Sequence, residues 1–511
     1  MQRKNAIYFA SILASAFLLQ ACGPSENSSN STTLNEIAPD TISPKISQVF
    51  PRNGMGIQSM LVVVRGEVVD DSPLKSVVVS NETESVVAQL DGEQFSAEMN
   101  ALPGGNRYTI TAIDEANNET IFSDSFYFGA RLSAGGAHSG ILKDQAIYAW
   151  GRNNKGQAGI GFITSIRDDP ASAEAPHPMA PILISAPSLS GEETKFVSLA
   201  FNQNASSALD VDGNVWSWGV GDDGQLGLGV ANDGLIDEID GTSPQQIIGV
   251  TNIVAISRGL DHALLLKGDG TVLAFGDNNA GQLGDGSTDS SDSPIIVNGL
   301  SNIVQISASI GSFALDRDGR VWAWGSNKYG QLANGVKDTD AHSIPTQIPI
   351  NEPVLSLASG KGHVLALTHS GTVYAWGLNA SSQVGMNETG DWGGYVYEPK
   401  LLPWFDDAIA VWAKGNQSFV QRSDGKVYPW GQNMLGTLGI EQDGNVETPN
   451  SAVFGLENVI DLGNGALHTL ALNADNQFFS WGWSFEGSLG GGESTINAWT
   501  YRLPLFLSIA D

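Results

Sequence analysis

The chain has 511 residues, with 55 Asp and Glu against 25 Lys and Arg, giving a net charge of −30. So acidic a surface repels phosphate backbones, which argues against a nucleic-acid partner. A single cysteine excludes a disulfide framework within one chain, and 60 glycines with 21 prolines indicate short elements joined by many turns.

Residues 1–21 read as a signal segment. Arg3 and Lys4 give a basic start, residues 6–19 form a short apolar run, and Leu19-Gln20-Ala21-Cys22 follows. The run falls short of the ~20 residues that a spanning helix needs. The tetrapeptide resembles the bacterial lipoprotein cleavage box, although Gln20 departs from the small residue usual there. That resemblance implies acyl chains on Cys22 as the first mature residue, and two or more chains anchor stably. Gly23 at the next position favours the outer membrane in a Gram-negative host. The expected location is therefore the cell envelope, outside the cytoplasm. The alternative is an ordinary secretory signal that happens to contain Cys22. Residues 22–43, rich in Ser, Asn and Thr, cannot bury enough surface to offset ordering entropy and are predicted to be a tether.

Residues 44–129 carry β-prone runs at 60–69, 75–80, 95–99, 108–113 and 121–128, punctuated by Asp-Ser-Pro, Asp-Gly and Pro-Gly-Gly turns. About seven short strands predict a small β-sandwich. The segments GEVVD (66–70), QFSAEM (94–99) and NRYTITAIDEANN (106–118) resemble immunoglobulin-like and cadherin-like modules. Some such modules hold calcium in acidic turns, which here would be Asp70, Asp71 and Asp114; solvated turn carboxylates are the simpler reading.

Residues 130–511 repeat one frame seven times. The anchors are Trp150, Trp218, Phe275, Trp324, Trp376, Trp430 and Trp481, each followed by glycine. Six residues before each lies a turn pair such as Asp318-Gly319, and six residues after it a second turn such as GQLG (281–284). Short strands recurring at spacings of 49 to 68 residues indicate a propeller or solenoid. This unit resembles the repeat of the regulator of chromosome condensation family, which implies an all-β, seven-bladed β-propeller preceded by the small immunoglobulin-like sandwich. Asp318-Gly319 is expected to form a two-residue type I′ turn. Each unit is expected to begin with a Pro-x-x-Ile/Val strand. The surplus strand at 503–508 would then pair beside the first blade and shut the ring.

The anchor rings are expected to pack in the core. His138, His262, His363 and His468 sit twelve or thirteen residues before their anchors. Zinc would need them to converge on one ion; hydrogen bonding from blade to blade is the expected role. Two stretches break the rhythm, 161–191 and 387–398. The second places Trp392, Tyr395 and Tyr397 among glycines as candidate partner-binding residues, or as rings folded back over the blade. Asp233, Asp237 and Asp240, with Glu238, form an acidic segment that is a candidate for calcium but does not follow a known loop spacing. No catalytic motif or cofactor site emerges.

The expected function is non-catalytic binding of a protein or glycan by one propeller face, by a monomer held to the membrane through its lipid. Inhibition of a β-lactamase, known for some secreted bacterial propellers of this type, is a special case of that reading. The family's eukaryotic roles, exchange on a small GTPase and chromatin docking, are not expected. The alternative is an extracytoplasmic lyase or hydrolase acting on a polysaccharide or small molecule.

Overall fold

Alternation of buried and exposed side chains is strictest in Gly104–Asp114, as half-buried strands require. This strand is central in a five-stranded sheet with Met55–Ile57, Glu119–Phe128, Leu74–Ser80 and Ser85–Val87. A four-stranded sheet of Lys45–Phe50, Leu61–Val69, Gln94–Asn100 and Gln89–Asp91 accompanies it. Val64, Phe95, Met99, Tyr108, Ile110 and Phe126 share one core. The structure, a computed structural model, describes residues 40–165, 175–186, 193–229, 241–385, 394–442, 444–491 and 501–507. Ile42–Asp511 forms one unit.

From Leu132 onward, seven blade sheets follow in chain order, and a two-stranded parallel sheet of Thr164–Ser165 and Ala175–Pro176 lies within the first blade's span of sequence. The first blade runs from its inner strand Leu132–Ala134 through His138–Lys143 and Ala146–Gly151 to its outer strand Ile182–Leu183. Six blades have four strands. The sixth has Ala408–Lys414, Gln417–Arg422 and Val427–Gly431, with only a bridge from Gly431 to Val446 beyond them.

Three expectations are corrected. The Pro-x-x-Ile strand is the outer strand of the preceding anchor's blade, as Ser291–Ile296 pairs with Val272–Gly276. The C-terminal strand Tyr501–Leu507 pairs with Phe478–Gly482 of blade seven, not with blade one. A repeating sequence reveals its period but not where a blade begins, so the strand boundary of a blade lies one strand away from the boundary of the sequence unit. The Asp318-Gly319 turn is a three-residue loop: Asp316 and Arg320 pair across it, and only Gly319 has positive φ, +77°. That is a type I turn closed by a left-handed glycine. Both central residues are left-handed in blade one instead, at Asp144 and Gln145.

The ring closes through hydrogen bonds between blades rather than through a shared strand. Between blades seven and one, Ser139 Oγ lies 2.7 Å from His468 Nε2, and the Trp150 indole donates to the Ser488 carbonyl at 2.9 Å. The Ala466 N–H donates to the Gly135 carbonyl at 3.0 Å. Buried Asp461 accepts from the Arg131 N–H at 2.9 Å.

Antiparallel pairing places the starts of all inner strands on one face of the ring. The sandwich sits there. Its Met60 N–H donates to the Val304 carbonyl at 2.9 Å, Tyr127 donates to Val197 O at 2.9 Å, and Arg65 reaches the His369 carbonyl at 2.8 Å. Gly56 lies so close that a Cβ would stand 3.0 Å from the Ile460 carbonyl. One end of the central channel is thus covered. The described residues that follow each anchor emerge on the opposite face.

Truncation after Tyr501 removes only the outer strand of blade seven. Hydrogen exchange should find His138–Lys143 as protected in the truncated chain as in the full one. Loss of protection throughout blade one would restore the strand-closure model.

Candidate interaction face

Adjacent blades are joined by a recurring polar seam. Trp324 is fully buried, and its indole N–H donates to the Gln282 carbonyl of the previous blade at 2.9 Å. The Ser312 hydroxyl donates to the same carbonyl at 2.8 Å. His262 Nε2 lies 2.8 Å from Ser312 Oγ. Because the hydroxyl proton is spent on the carbonyl, the histidine donates through Nε2. The set recurs for His138–Ser206, His363–Ser418 and His468–Ser139 at 2.7 to 3.0 Å. All seven anchor rings are fully buried. The four histidines therefore bridge successive blades, as expected. Burial lowers His138, His262 and His363 to about 3 and His468 to about 4.

Two seams differ. Phe275 has no indole N–H and Ala263 no hydroxyl, and there Arg258 Nη2 donates to the Gln225 carbonyl at 2.6 Å. Its Nη1 lies 2.6 Å from Ser207 Oγ. Between blades four and five the indole of Trp376 bonds Gln331 O at 2.8 Å without a hydroxyl beside it. The second-turn glycines leave room for the next anchor: a Cβ on Gly284 would lie 2.7 Å from Trp324 Nε1. Sequence reasoning found the anchors and histidines. It missed the serines, whose signal is that each stands one place after the position equivalent to the histidine.

Tyr395 and Tyr397 are not in a loop; they open Tyr395–Leu401, the outer strand of blade five. Their rings continue a ladder from Tyr329 of blade four, with both centroid spacings 6.3 Å and planes within 12° of parallel. The Lys337 ammonium stands 3.8 Å from the Tyr395 ring centre and Lys328 lies 5.8 Å from that of Tyr329. Tyr397 also packs over Gly330, where a Cβ would come within 2.7 Å of the ring. All three tyrosines remain partly exposed. Trp392, the acidic set Asp233, Asp237 and Asp240, and Cys22 lie outside the described residues. In the sandwich, Asp70 accepts from the Ser72 N–H at 2.9 Å and Asp114 from the Asn118 N–H at 2.8 Å, so both hold turns; Asp71 lies in the first of them.

Residues 111–403 match the model of the RCC1-like domain, and residues 424–472 match the regulator of chromosome condensation (RCC1) repeat. The chain belongs to the RCC1-like domain family. The ultraviolet-B receptor UVR8 of Arabidopsis thaliana is 29% identical over 370 residues, covering 71% of this chain and 79% of the receptor. The human E3 ubiquitin-protein ligase HERC2 is 28% identical over 72% of this chain, which spans only 7% of that protein. Among solved structures, yeast RCC1 (Prp20) bound to Kap60 superposes with a TM-score of 0.60 at 23% identity, covering 74% of this chain and 85% of that one. Human WBSCR16 gives a TM-score of 0.58 at 20% identity, covering 71% and 95%. These likenesses establish an RCC1-type propeller. Its structural part begins at Leu132, inside the span of the family match.

Two measurements test the seam. Trp376→Phe strands the Gln331 carbonyl and should cost about 1–3 kcal/mol, whereas Trp324→Phe leaves Gln282 O bonded to Ser312 and should cost about 0.5–1.5 kcal/mol. Equal losses in denaturant melts would refute the shared-acceptor scheme. The buried histidines predict acid sensitivity. Their unfolded forms take up protons near 6.5, the folded forms only near 3 or 4. Stability is complete above pH 6.5 and declines as the pH falls below it. His262→Gln with His363→Gln should flatten that decline in melts from pH 7 to 4; an unchanged slope would assign it to other groups.

Proposed function

We propose that this protein is a non-catalytic binding module whose loop face engages a protein partner through the tyrosine ladder. The observation that carries this reading is the Tyr329–Tyr395–Tyr397 ladder, with Lys337 against it, on the face that the sandwich leaves free. Aromatic rings held on a rigid scaffold and flanked by cations are common anchors of protein interfaces. The burial of the perturbed histidines inside seams also favours binding over catalysis, since none of the four is presented to a substrate.

The reading extends to the N-terminus. Cys22 is proposed to carry the lipid, residues 22–43 to act as a tether, and the immunoglobulin-like sandwich to stand between tether and ring. The protein is then an envelope lipoprotein facing outward from the cytoplasm, in the outer membrane of a Gram-negative host. No GTPase or chromatin role is carried over from the eukaryotic relatives.

Affinity capture from detergent-solubilised envelope of the source organism tests the face. The full chain should retain one stoichiometric protein, and Tyr395→Ala with Tyr397→Ala should weaken capture at least tenfold, since anchors of this kind are worth about 2 kcal/mol or more. Equal capture by the variant would refute the ladder as the contact, and a glycan eluting in place of a protein would replace the partner class. Separately, Cys22→Ser should abolish incorporation of labelled palmitate and move the protein to the soluble fraction.

A further inference from the structure

The open end of the central channel holds a cavity of about 180 Å³. Every blade lends to it the turn between its inner and second strands, from Gly135 of blade one to Ala466 of blade seven. Three cations occur in its wall: Arg258, Lys361 and Lys414. Lys414 ends the inner strand of blade six, and its Nζ crosses the channel to the Phe201 carbonyl of blade two at 3.2 Å. An ammonium has three donors, so two remain for another acceptor. Arg258 is 3% exposed, and its Nε has no hydrogen-bond partner.

Among the described residues, neither Arg258 nor Lys414 forms an ion pair with a carboxylate. This is notable in a chain with more than two acidic residues for each basic one. A cation placed in a low-dielectric wall without a counter-charge is costly, and an anion received from solution offsets that cost. Burial and the charge of Arg258 lower Lys414 to about 8, so it remains cationic at neutral pH. The rest of the wall is partly apolar, with Leu260, Ala308 and Ile310 grouped on blades three and four. Leu260 is 41% exposed. The volume amounts to roughly six waters of liquid.

We propose that this cavity binds a small organic carboxylate, its head on the Lys414 ammonium and its short apolar body against Leu260, Ala308 and Ile310. The site is distinct from the tyrosine ladder and does not depend on the partner-binding reading. Negative charge is otherwise abundant on this protein, so general attraction of anions to its surface does not produce the effect. The site discriminates by combining the Lys414 ammonium with the apolar part of the wall.

Calorimetric titration of the full chain with butyrate tests it, with butanol and inorganic phosphate as controls. Butyrate should bind saturably at one site per chain, and butanol should not bind. Lys414→Met should weaken butyrate at least tenfold without lowering the melting temperature. Leu260→Glu, a change at an exposed position that leaves Lys414 intact, should weaken it similarly by placing a like charge at the mouth. If Lys414→Met fails to fold, Leu260→Glu alone decides. Absence of saturable butyrate binding, or unchanged affinity in the folded variants, would overturn the proposal. Phosphate binding as tightly as butyrate, with the same dependence on Lys414, would overturn the assignment of an apolar body to the ligand.

Discussion

One backbone carbonyl per blade holds the ring together. In most seams the carbonyl of the second turn accepts the indole N–H of the next anchor, and where a serine or threonine is available it accepts the hydroxyl too. These groups lie in the protein interior, where an unmade hydrogen bond is expensive and a made one is strong. The requirement propagates outward. The turn must present its carbonyl inward, so its last residue is glycine or a left-handed alanine, as at Ala333. The glycine after each anchor must also be left-handed: a Cβ on Gly482 would stand 2.6 Å from the Leu467 carbonyl. Much of the repeat's sequence follows from placing this one acceptor.

The exceptions obey the same rule. When the third anchor becomes phenylalanine, the abandoned acceptor at Gln225 is taken by Arg258 from a different strand. This is why a phenylalanine fits a frame otherwise occupied by tryptophan. It also brings a guanidinium into the channel wall, where no carboxylate among the described residues pairs with it.

The period, the seven anchors and the blade count were legible in the sequence because buried aromatic rings and left-handed glycines tolerate few replacements. The sandwich strands were legible for a similar reason, since Gly104–Asp114 alternates without interruption. Its three-residue strands at Met55–Ile57, Ser85–Val87 and Gln89–Asp91 carry too few side chains to show a period. The start of a blade was not legible because cyclic repetition has no intrinsic phase. Tyr395 and Tyr397 looked like loop residues because their glycine-rich approach hid the strand they begin. The pairing of Lys414 with a carbonyl on blade two spans 213 residues and has no local signal at all. Long-range contacts of this kind decide the channel, which explains why the candidate site was the least legible part of the molecule.

Each blade is continuous in sequence, and the sandwich precedes them all. This has a consequence for the order of assembly. Blades two to six can each complete their sheet and meet the preceding blade soon after synthesis, whereas the last seam joins residues 329 positions apart. Closing so long a loop carries an entropic cost that rises with the logarithm of its length. The sandwich reduces the search, because it contacts inner-strand starts around the ring, from Val197 in blade two to Ile460 in blade seven. It offers a jig: a surface that precedes the blades in the chain and touches them around the circle.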